Sequence, residues 1–569
     1  MNTTIKYISA ILLGAGAVSC SLDTESMSSI DSGTYYKTMA DAEAARVGCY
    51  DGYRRISAEN SLSFTLASEI MGDDCFGGAG MGDARNFQML DRFDIAQAPG
   101  SVNEFNELWK LSYNAIFNCN TLIANLGNIE WKADAARNCE TAEQTRAAYE
   151  GEARFLRAMV YFDLVRLFER VPLLTAPTKE VVPQAEAKDT YAQIIADLKF
   201  AMEHIPYMPT KAWHATYDGT ATADAAAAML GRVYLFYTGY YGEEHESLSK
   251  ADAIAALEFV VERGNYGLVQ EGDDGANGFA RMWRAAVATD AGAGQGLDNH
   301  SWVGRACEYA EVNEFIFTQK FNFLSNYNGN ASGNRWLVMV GLRNIDNVQA
   351  VPYGKGWGIQ TVNPDARRVF DAADPRLKAT IIDFASEGRT GVTDQVTELG
   401  DWREFTGYNL KKYIPLSYNV DGKAVAEVSG SDFAEGEQDF QISQYQDVVV
   451  MRYADVLLML SELKEDASYM NDVRARAGMP ALAYSKENIL DERHREFMGE
   501  GIRYWDLLRQ GVDYAAQEIA GTWTVKSGNV DDQIVISAEN IVSKRGLCRI
   551  PESQIVASNK VYTQNPGWN

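Results

Sequence analysis

Four stretches of the chain carry hydrophobic residues at helical spacing. They run from about 102 to 126, 148 to 168, 221 to 237 and 249 to 264, with apolar side chains recurring every three or four positions. The second stretch stops just before Pro172, because proline cannot continue a helix. The fourth ends on a glycine suited to a helix C-cap. The pattern therefore predicts a series of amphipathic helices in the N-terminal half.

The helices of this half are rich in small residues, which favours close helix packing. Ala223 and the run Ala225 to Ala228 lie in the first turns of the third stretch. Two architectures agree with this pattern: helix-turn-helix repeats of the tetratricopeptide type and an irregular helical bundle. A helical pattern resumes at about Tyr453 and continues to Gln510. We expect a mostly α fold with tetratricopeptide-like helix pairs, long irregular loops and little β structure.

The middle of the chain lacks a sustained period. Residues 264–296 and 325–364 are rich in glycine or asparagine, and the segment from Asp421 to Asp447 is acidic. Long loops in a folded chain are usually functional or flexible. Five tryptophans fall in this middle part, and they are Trp283, Trp302, Trp336, Trp357 and Trp402. A tryptophan on a loop either fills the core beneath it or offers a flat apolar face to a ligand.

The N-terminus reads as a secretory signal. One basic residue, Lys6, precedes an apolar run from Tyr7 to Val18 that is too short to span a bilayer. The end of the run, AVSC, resembles a bacterial lipobox, in which Cys20 would be acylated and become the mature N-terminus. We therefore predict a signal peptide at residues 1–19 and a lipid anchor at Cys20.

Composition excludes some partners. The chain carries 52 Lys and Arg against 78 Asp and Glu, a formal net charge of −26. Nucleic acid is excluded as a partner, because phosphate binding is driven by clustered cations. The charge favours a neutral or cationic ligand.

Residues that would carry catalysis are not recognisable in the sequence. The histidines show no metal-binding spacing, and neither a nucleophile elbow nor a phosphate-binding loop is present. Asp73-Asp74 and Asp273-Asp274 do not complete a calcium loop, so we interpret both pairs as solvated turns. We predict no catalytic residue, no metal and no cofactor.

The middle tryptophans suit a sugar ligand. The C–H faces of a sugar ring stack on aromatic rings, while its hydroxyls need Asn, Asp or Arg partners. We take Trp336, Trp357 and Trp283 as the first candidates for stacking. The candidates for hydroxyl contacts are Arg343, Asn334, Tyr353, Asp73 and Arg85.

Several segments resemble the SusD/RagB family of outer-membrane nutrient-binding lipoproteins. The C-terminal third carries VMRYADVLLM, NDVRARAG and ILDERHREFMGEGIRYWDLLRQG, and the chain closes on RIP and QNPGW. EARFLRA at 152–158, DPRL at 374–377 and the lipobox match other family segments. We interpret the alternating charges of the 489–511 motif as a charged helical stretch packed on the core, with pairs three and four residues apart, rather than as a ligand site.

The resemblance implies a helical scaffold whose long loops carry the ligand site. It also implies an outer-membrane lipoprotein, facing the cell exterior, that delivers a glycan to a SusC-like TonB-dependent transporter. On this basis residues 20–569 form one unit, with a helical scaffold at 20–265, a ligand-binding region at 266–447 and a C-terminal helical region at 448–569. Two alternatives stay open: a binder of peptide or another non-glycan nutrient, and a surface glycoside hydrolase.

Overall fold

The computed structural model of the chain is predominantly helical with short strands, which confirms the predicted fold class. It describes residues 35–59, 62–78, 84–207, 219–272, 277–290, 314–325, 332–345, 347–399, 402–430 and 439–568. Cys20, Trp302 and the pair Asp273-Asp274 lie outside the described residues. Within the described part, no helix combines the length and hydropathy needed to cross a bilayer.

The helices of the N-terminal half are α1 to α8. Their bounds are α1 Met39–Ala58, α2 Phe64–Ile70, α3 Asn86–Asp91, α4 Asn106–Asn125, α5 Ala142–Phe168, α6 Ala187–His204, α7 Ala223–Tyr241 and α8 Lys250–Arg263. Short 3₁₀ turns lie at Ile95–Gln97, Leu126–Asn128 and Ala135–Arg137. The four predicted helices correspond to α4, α5, α7 and α8, whereas the long helices α1 and α6 and the short helices α2 and α3 were not predicted.

The remaining helices are α9 to α20. Their bounds are α9 Arg284–Asp290, α10 Arg335–Val340, α11 Arg376–Thr380, α12 Thr390–Leu399, α13 Glu427–Gly430, α14 Tyr453–Lys464, α15 Ala467–Arg476, α16 Lys486–Phe497, α17 Arg503–Leu508, α18 Val512–Ile519, α19 Ala538–Ser543 and α20 Glu552–Ala557. Further 3₁₀ turns lie at Ala280–Met282, Val348–Ala350 and Pro364–Val369.

The strands are short and form small sheets. Their bounds are β1 Cys75–Gly77, β2 Phe315–Gln319, β3 Leu342–Arg343, β4 Lys355–Gly356, β5 Gln360–Val362, β6 Ile381–Asp383, β7 Tyr408–Leu410, β8 Ser417–Val420, β9 Lys423–Ala426, β10 Val448–Arg452, β11 Gly521–Ser527 and β12 Val530–Ile536. A four-stranded sheet has the order β1-β5-β7-β6, and the other strands pair as β2 with β10, β3 with β4, β8 with β9 and β11 with β12.

The large helices pack in succession, as the predicted helix pairs require. Helix α1 packs on α4, α4 on α5, α5 on α6, α6 on α7 and α7 on α8, and α8 then contacts α14 of the C-terminal region. Local signals fix the helix ends. Thr141 and Gln144 form a capping box that starts α5, and Gly264 takes the left-handed conformation (φ +65°) that ends α8.

The predicted loops of the middle region contain regular structure. Helix α9 falls inside the segment 264–296 and helix α10 inside 325–364, so the prediction of continuous loop there was wrong. Helix α10 (RWLVMV) is buried from Trp336 to Val340. A helix that is apolar on every side shows no period in its sequence, which explains why the pattern missed it.

A buried network of ion pairs joins the middle region to the C-terminal helices. Glu496 on α16 accepts hydrogen bonds from Arg376, Arg452 and Arg476. The cations of the network are Arg376, Lys412, Arg452, Arg474 and Arg476, and its acids are Glu314, Asp374, Glu492, Glu496 and Glu500. These five buried cations balance the five buried acids, and Arg495, at the less buried edge, also contacts Glu492 at 3.5 Å. The 489–511 motif was interpreted as part of the scaffold, and the burial of Glu492, Glu496 and Glu500 agrees with this. The principal partners of Glu496, however, come from distant segments rather than from neighbours in the helix.

Candidate functional site

Trp357 is the one predicted stacking residue whose side chain is partly exposed. It follows strand β4, which pairs in parallel with β3. A Cβ added to Gly356 would lie 2.4 Å from the carbonyl oxygen of Val338 and 2.4 Å from the Cα of Gly341. Only glycine permits this close approach. The Trp357 N–H donates to the Val338 carbonyl at 2.7 Å, so helix α10 holds the tryptophan in place.

Two arginines lie against Trp357. The guanidinium carbon of Arg335 is 4.6 Å from the centroid of the Trp357 ring. Arg343 donates from Nη1 to the Trp357 carbonyl at 3.2 Å. A guanidinium over an indole is a favourable cation–π arrangement. The structure thus brings together the predicted residues Trp357 and Arg343, and it adds Arg335.

A second aromatic residue borders the same surface. The Lys355 ammonium is 5.6 Å from the centroid of the Phe440 ring, and Arg335 donates to the carbonyl of Gln441 at 3.3 Å. We call the set Arg335, Arg343, Lys355, Trp357 and Phe440 the Trp357 surface. All five side chains are partly exposed. They combine apolar ring area with hydrogen-bond donors, as a sugar-binding surface requires.

Arg335, Lys355 and Phe440 were not among the predicted site residues. Lys355 lies two positions before Trp357, and residues so spaced on a strand share a face, so this one could have been inferred. Phe440 is separated from Trp357 by more than eighty positions, and the sequence carries no signal that joins them.

The structure places Trp283 and Trp336 in the core. Their exposed fractions are 0% and 1%, and both rings pack on Tyr413 with centroid distances of 5.5 and 4.3 Å. The Trp336 indole N–H donates to Gln360 Oε1 at 2.9 Å. Neither ring offers a face to a ligand in this arrangement, so we do not carry either into the proposed site.

Asn334 and Tyr353 are also buried. Asn334 caps α10, because its Oδ1 accepts from the Trp336 N–H at 3.1 Å, and its amide donates to the Gln446 carbonyl. The Tyr353 hydroxyl donates to Glu387 at 2.6 Å. Burial and the Glu387 charge raise the pKa of Tyr353 well above its ordinary value. Both residues support the fold around the Trp357 surface.

Arg85 and Asp73 lie apart from the Trp357 surface. Arg85 is exposed and donates to Gln88 Oε1 at 3.2 Å. Asp73 pairs with Arg503, with distances of 2.9 Å to Nε and 2.7 Å to Nη2. The neighbouring Asp74 is 1% exposed. The interpretation of Asp73-Asp74 as a solvated turn was therefore wrong, because the turn is buried against α16 and α17.

Two buried carboxyl groups share Arg92 next to strand β1, where the Gly77 N–H donates to Asp91 Oδ2 at 3.0 Å. Asp91 and Glu404 are both 0% exposed. Arg92 contacts both, with 2.5 Å from Nη2 to Glu404 Oε1 and 3.7 Å from Nε to Asp91 Oδ1. Burial raises the pKa of Asp91 to about 7, although Arg92 and the Gly77 N–H oppose the change. Burial and the charge of Asp91 likewise raise the pKa of Glu404.

A cleft in the helical scaffold is too small for a glycan. Its cavity volume is about 80 Å³, and Tyr53, Asp163 and Arg166 are among its lining residues. Pockets for small ligands usually measure about 300–1,000 Å³. Burial raises the pKa of Asp163 to about 6, with Arg166 acting against it. The cleft has room for a few water molecules beside these charges.

Two family models match the chain. The model described as the SusD family matches residues 313–568. The model described as "Starch-binding associating with outer membrane" matches residues 66–235. SusD-like protein P2 of Formosa agariphila is 23% identical, over 99% of this chain and 100% of its own length. SusD-like protein P25 of the same organism is 21% identical, over 84% of each chain.

Solved structures share the fold along nearly the whole length. A laminarin-binding SusD-like protein is 25% identical, covers 94% of this chain and 100% of its own, and has a TM-score of 0.65. Surface glycan-binding protein A from Bacteroides fluxus is 22% identical with a TM-score of 0.68, covering 92% and 99%. Its namesake from Bacteroides thetaiotaomicron, in complex with laminarihexaose, is 19% identical with a TM-score of 0.67, covering 93% and 100%. The two family models, which between them match most of the chain, and the SusD-like relatives show that the chain belongs to the SusD-like family.

Proposed function

We propose that this protein binds a glycan at the cell surface and delivers it to a SusC-like TonB-dependent transporter in the outer membrane. The observation that carries the proposal is the partly exposed indole of Trp357, held by α10 and flanked by the donors of Arg335 and Arg343. The relatives support the same ligand class, since two of them are named for laminarin or laminarihexaose. The transporter as partner rests on the family resemblance.

The Trp357 surface provides both parts of sugar recognition. The indole can stack on the C–H face of a sugar ring, and the surrounding arginine and lysine side chains can donate to ring hydroxyls. Its position on α10 and β4 gives it a rigid support. A rigid aromatic anchor loses little conformational entropy on binding and commonly contributes a large share of the affinity.

Replacing Trp357 with alanine should weaken glycan binding at least about tenfold, or about 1.4 kcal/mol, because the stacking face is lost. Affinity electrophoresis in gels containing laminarin or starch would measure the change. The matched control is Trp131→Ala, since Trp131 is also partly exposed but packs on Tyr149 in the N-terminal scaffold. Equal retardation of the Trp357→Ala variant and the wild type would contradict the site assignment.

A peptide ligand is the second candidate, and it is favoured by the net charge of −26, which attracts cations. Isothermal titration calorimetry with a lysine-rich peptide, laminarin and starch, each tested separately, would distinguish a peptide ligand from a glycan ligand. Binding of the peptide without binding of either polysaccharide would overturn the glycan proposal. A hydrolase is disfavoured because the solved relatives are named as laminarin-binding or glycan-binding proteins. The Asp91–Glu404 pair is also fully buried, so a sugar cannot reach it.

The lipid anchor gives a separate prediction. Replacing Cys20 with alanine should move the protein from the membrane fraction to the soluble fraction, because the acyl chains attach to this cysteine. Cell fractionation followed by immunoblotting would measure the distribution. The exposed-surface variant Lys110→Ala, far from the lipobox in sequence, serves as the control. Retention of the Cys20→Ala variant in the membrane fraction would refute the anchor.

A further inference from the structure

Three side chains with metal-binding atoms converge where the turn after α2 meets helix α16. They are Asp73, Asp74 and His494, and one ligand atom from each lies within 4.8 Å of the others. His494 is 420 positions from Asp74 in the sequence, yet its Nε2 is 2.6 Å from Asp74 Oδ1. The cluster therefore joins two distant parts of the chain.

Asp74 has an oxygen that no protein group satisfies. Its side chain is 2% exposed, one oxygen contacts His494, and Oδ2 lacks a hydrogen-bond partner in the described structure. A buried carboxylate oxygen without a partner is costly, because it has lost its water. A cation bound between Asp74, Asp73 and His494 would satisfy it.

The turn that carries the two aspartates is held by its surroundings. The Asn363 N–H donates to the Asp74 carbonyl at 2.8 Å, and its side-chain amide donates to the Asp73 carbonyl at 3.0 Å. Arg503 donates to both carboxylate oxygens of Asp73. Contacts of this kind, made to groups that could bind a metal, fix their orientation. Asp73 is partly exposed, which leaves a route from solvent.

A further buried carboxyl group lies near the cluster. Glu69 is buried, and its Oε2 lies 3.9 Å from the sulfur of Cys75, the residue after Asp74. Its Oε1 accepts a hydrogen bond from the Gly501 N–H. A bound dication would be attracted to the carboxyl groups of this region.

We propose that Asp73, Asp74 and His494 supply three ligands to a site for a divalent transition metal of the zinc class, in which water would take the fourth position. One imidazole nitrogen and two carboxylate oxygens are ligands that Zn²⁺ accepts in proteins. Calcium and magnesium prefer oxygen ligands alone, so the imidazole disfavours them. The metal would tie the turn before β1 to helix α16 and stabilise the folded chain by its binding free energy.

The first test measures metal in the wild-type protein. The mature chain, purified with a tag that contains no histidine, is incubated with Zn²⁺, dialysed and analysed by mass spectrometry for metal content. We expect about one zinc per chain, a higher Tm in Zn²⁺ and a return to the original Tm after chelation. Absence of retained zinc, together with an unchanged Tm, would overturn the proposal without any variant.

The second test assigns the residues. Asp74→Asn and His494→Gln should each lose most of the retained zinc, while His204→Gln, at a partly exposed histidine on α6, should keep it. Circular dichroism establishes that each variant is folded. If a variant does not fold, Asp73→Asn replaces it, because Asp73 lies at the partly exposed side of the cluster. Full zinc retention in folded variants of the cluster would show that the metal binds elsewhere and overturn the assignment.

Discussion

Replacing Glu496 with glutamine should lower the free energy of unfolding by about 3–5 kcal/mol, because it leaves buried arginines without their shared counter-charge. Glu496 is 0% exposed and accepts from Arg452 at 2.7 Å and from Arg376 at 3.0 Å, as well as from Arg476. Glutamine has nearly the same shape, but it removes one negative charge from a network of five acids and five bases. The side-chain NH₂ of glutamine would also face an arginine N–H, and two donors cannot form a hydrogen bond with each other.

Denaturant unfolding at pH 7, followed by tryptophan fluorescence, measures this effect. The matched control is Glu107→Gln, which breaks an exposed ion pair with Lys110 at 2.8 Å. Exposed pairs contribute less than about 1 kcal/mol, so the control should unfold close to the wild type. A loss below about 1 kcal/mol for Glu496→Gln would mean that the network redistributes its contacts and does not depend on this carboxylate.

The N-terminal scaffold could be predicted because its signals are local. The apolar faces of α4, α5, α7 and α8 repeat at helical spacing, and Gly264 marks a helix end. The start of α5 was placed six residues late, since its first turns are polar and a capping box rather than a hydrophobic period defines them. Local periodicity therefore gave these four helices with errors confined to their ends, but it missed α1 and α6.

The candidate site depends on contacts between distant segments, which a single sequence does not contain. Trp336 and Trp357 both lie in the glycine- and asparagine-rich segment 325–364, yet one is buried against Tyr413 and the other is partly exposed. Phe440 reaches the Trp357 surface from the end of the acidic segment. Residue type and loop position led to Trp357 and Arg343 as candidates, but they could not separate an exposed tryptophan from a core tryptophan.

The buried acids Asp91 and Glu404 should make stability depend on pH, and Asp91→Asn should remove much of that dependence. The pKa of Asp91 is about 7 in the folded protein, against about 3.9 for an unperturbed aspartate. A raised pKa means that the folded state holds the proton more tightly than the unfolded state. The associated stability is present below pH 4 and is lost as the pH rises through 7.

Between pH 5 and pH 8 the wild type should therefore lose about 2–3 kcal/mol more stability than the Asp91→Asn variant. In the wild type the Gly77 N–H donates to Asp91 Oδ2 at 3.0 Å, and asparagine keeps a side-chain oxygen that can accept this hydrogen bond. The substitution also removes one buried negative charge, so that Glu404 can ionise beside Arg92. Denaturant unfolding of both proteins between pH 5 and pH 8 measures how the free energy of unfolding changes with pH. Each protein is compared with its own stability at pH 5. Parallel slopes would show that Asp91 is already ionised at pH 5, which would contradict its raised pKa.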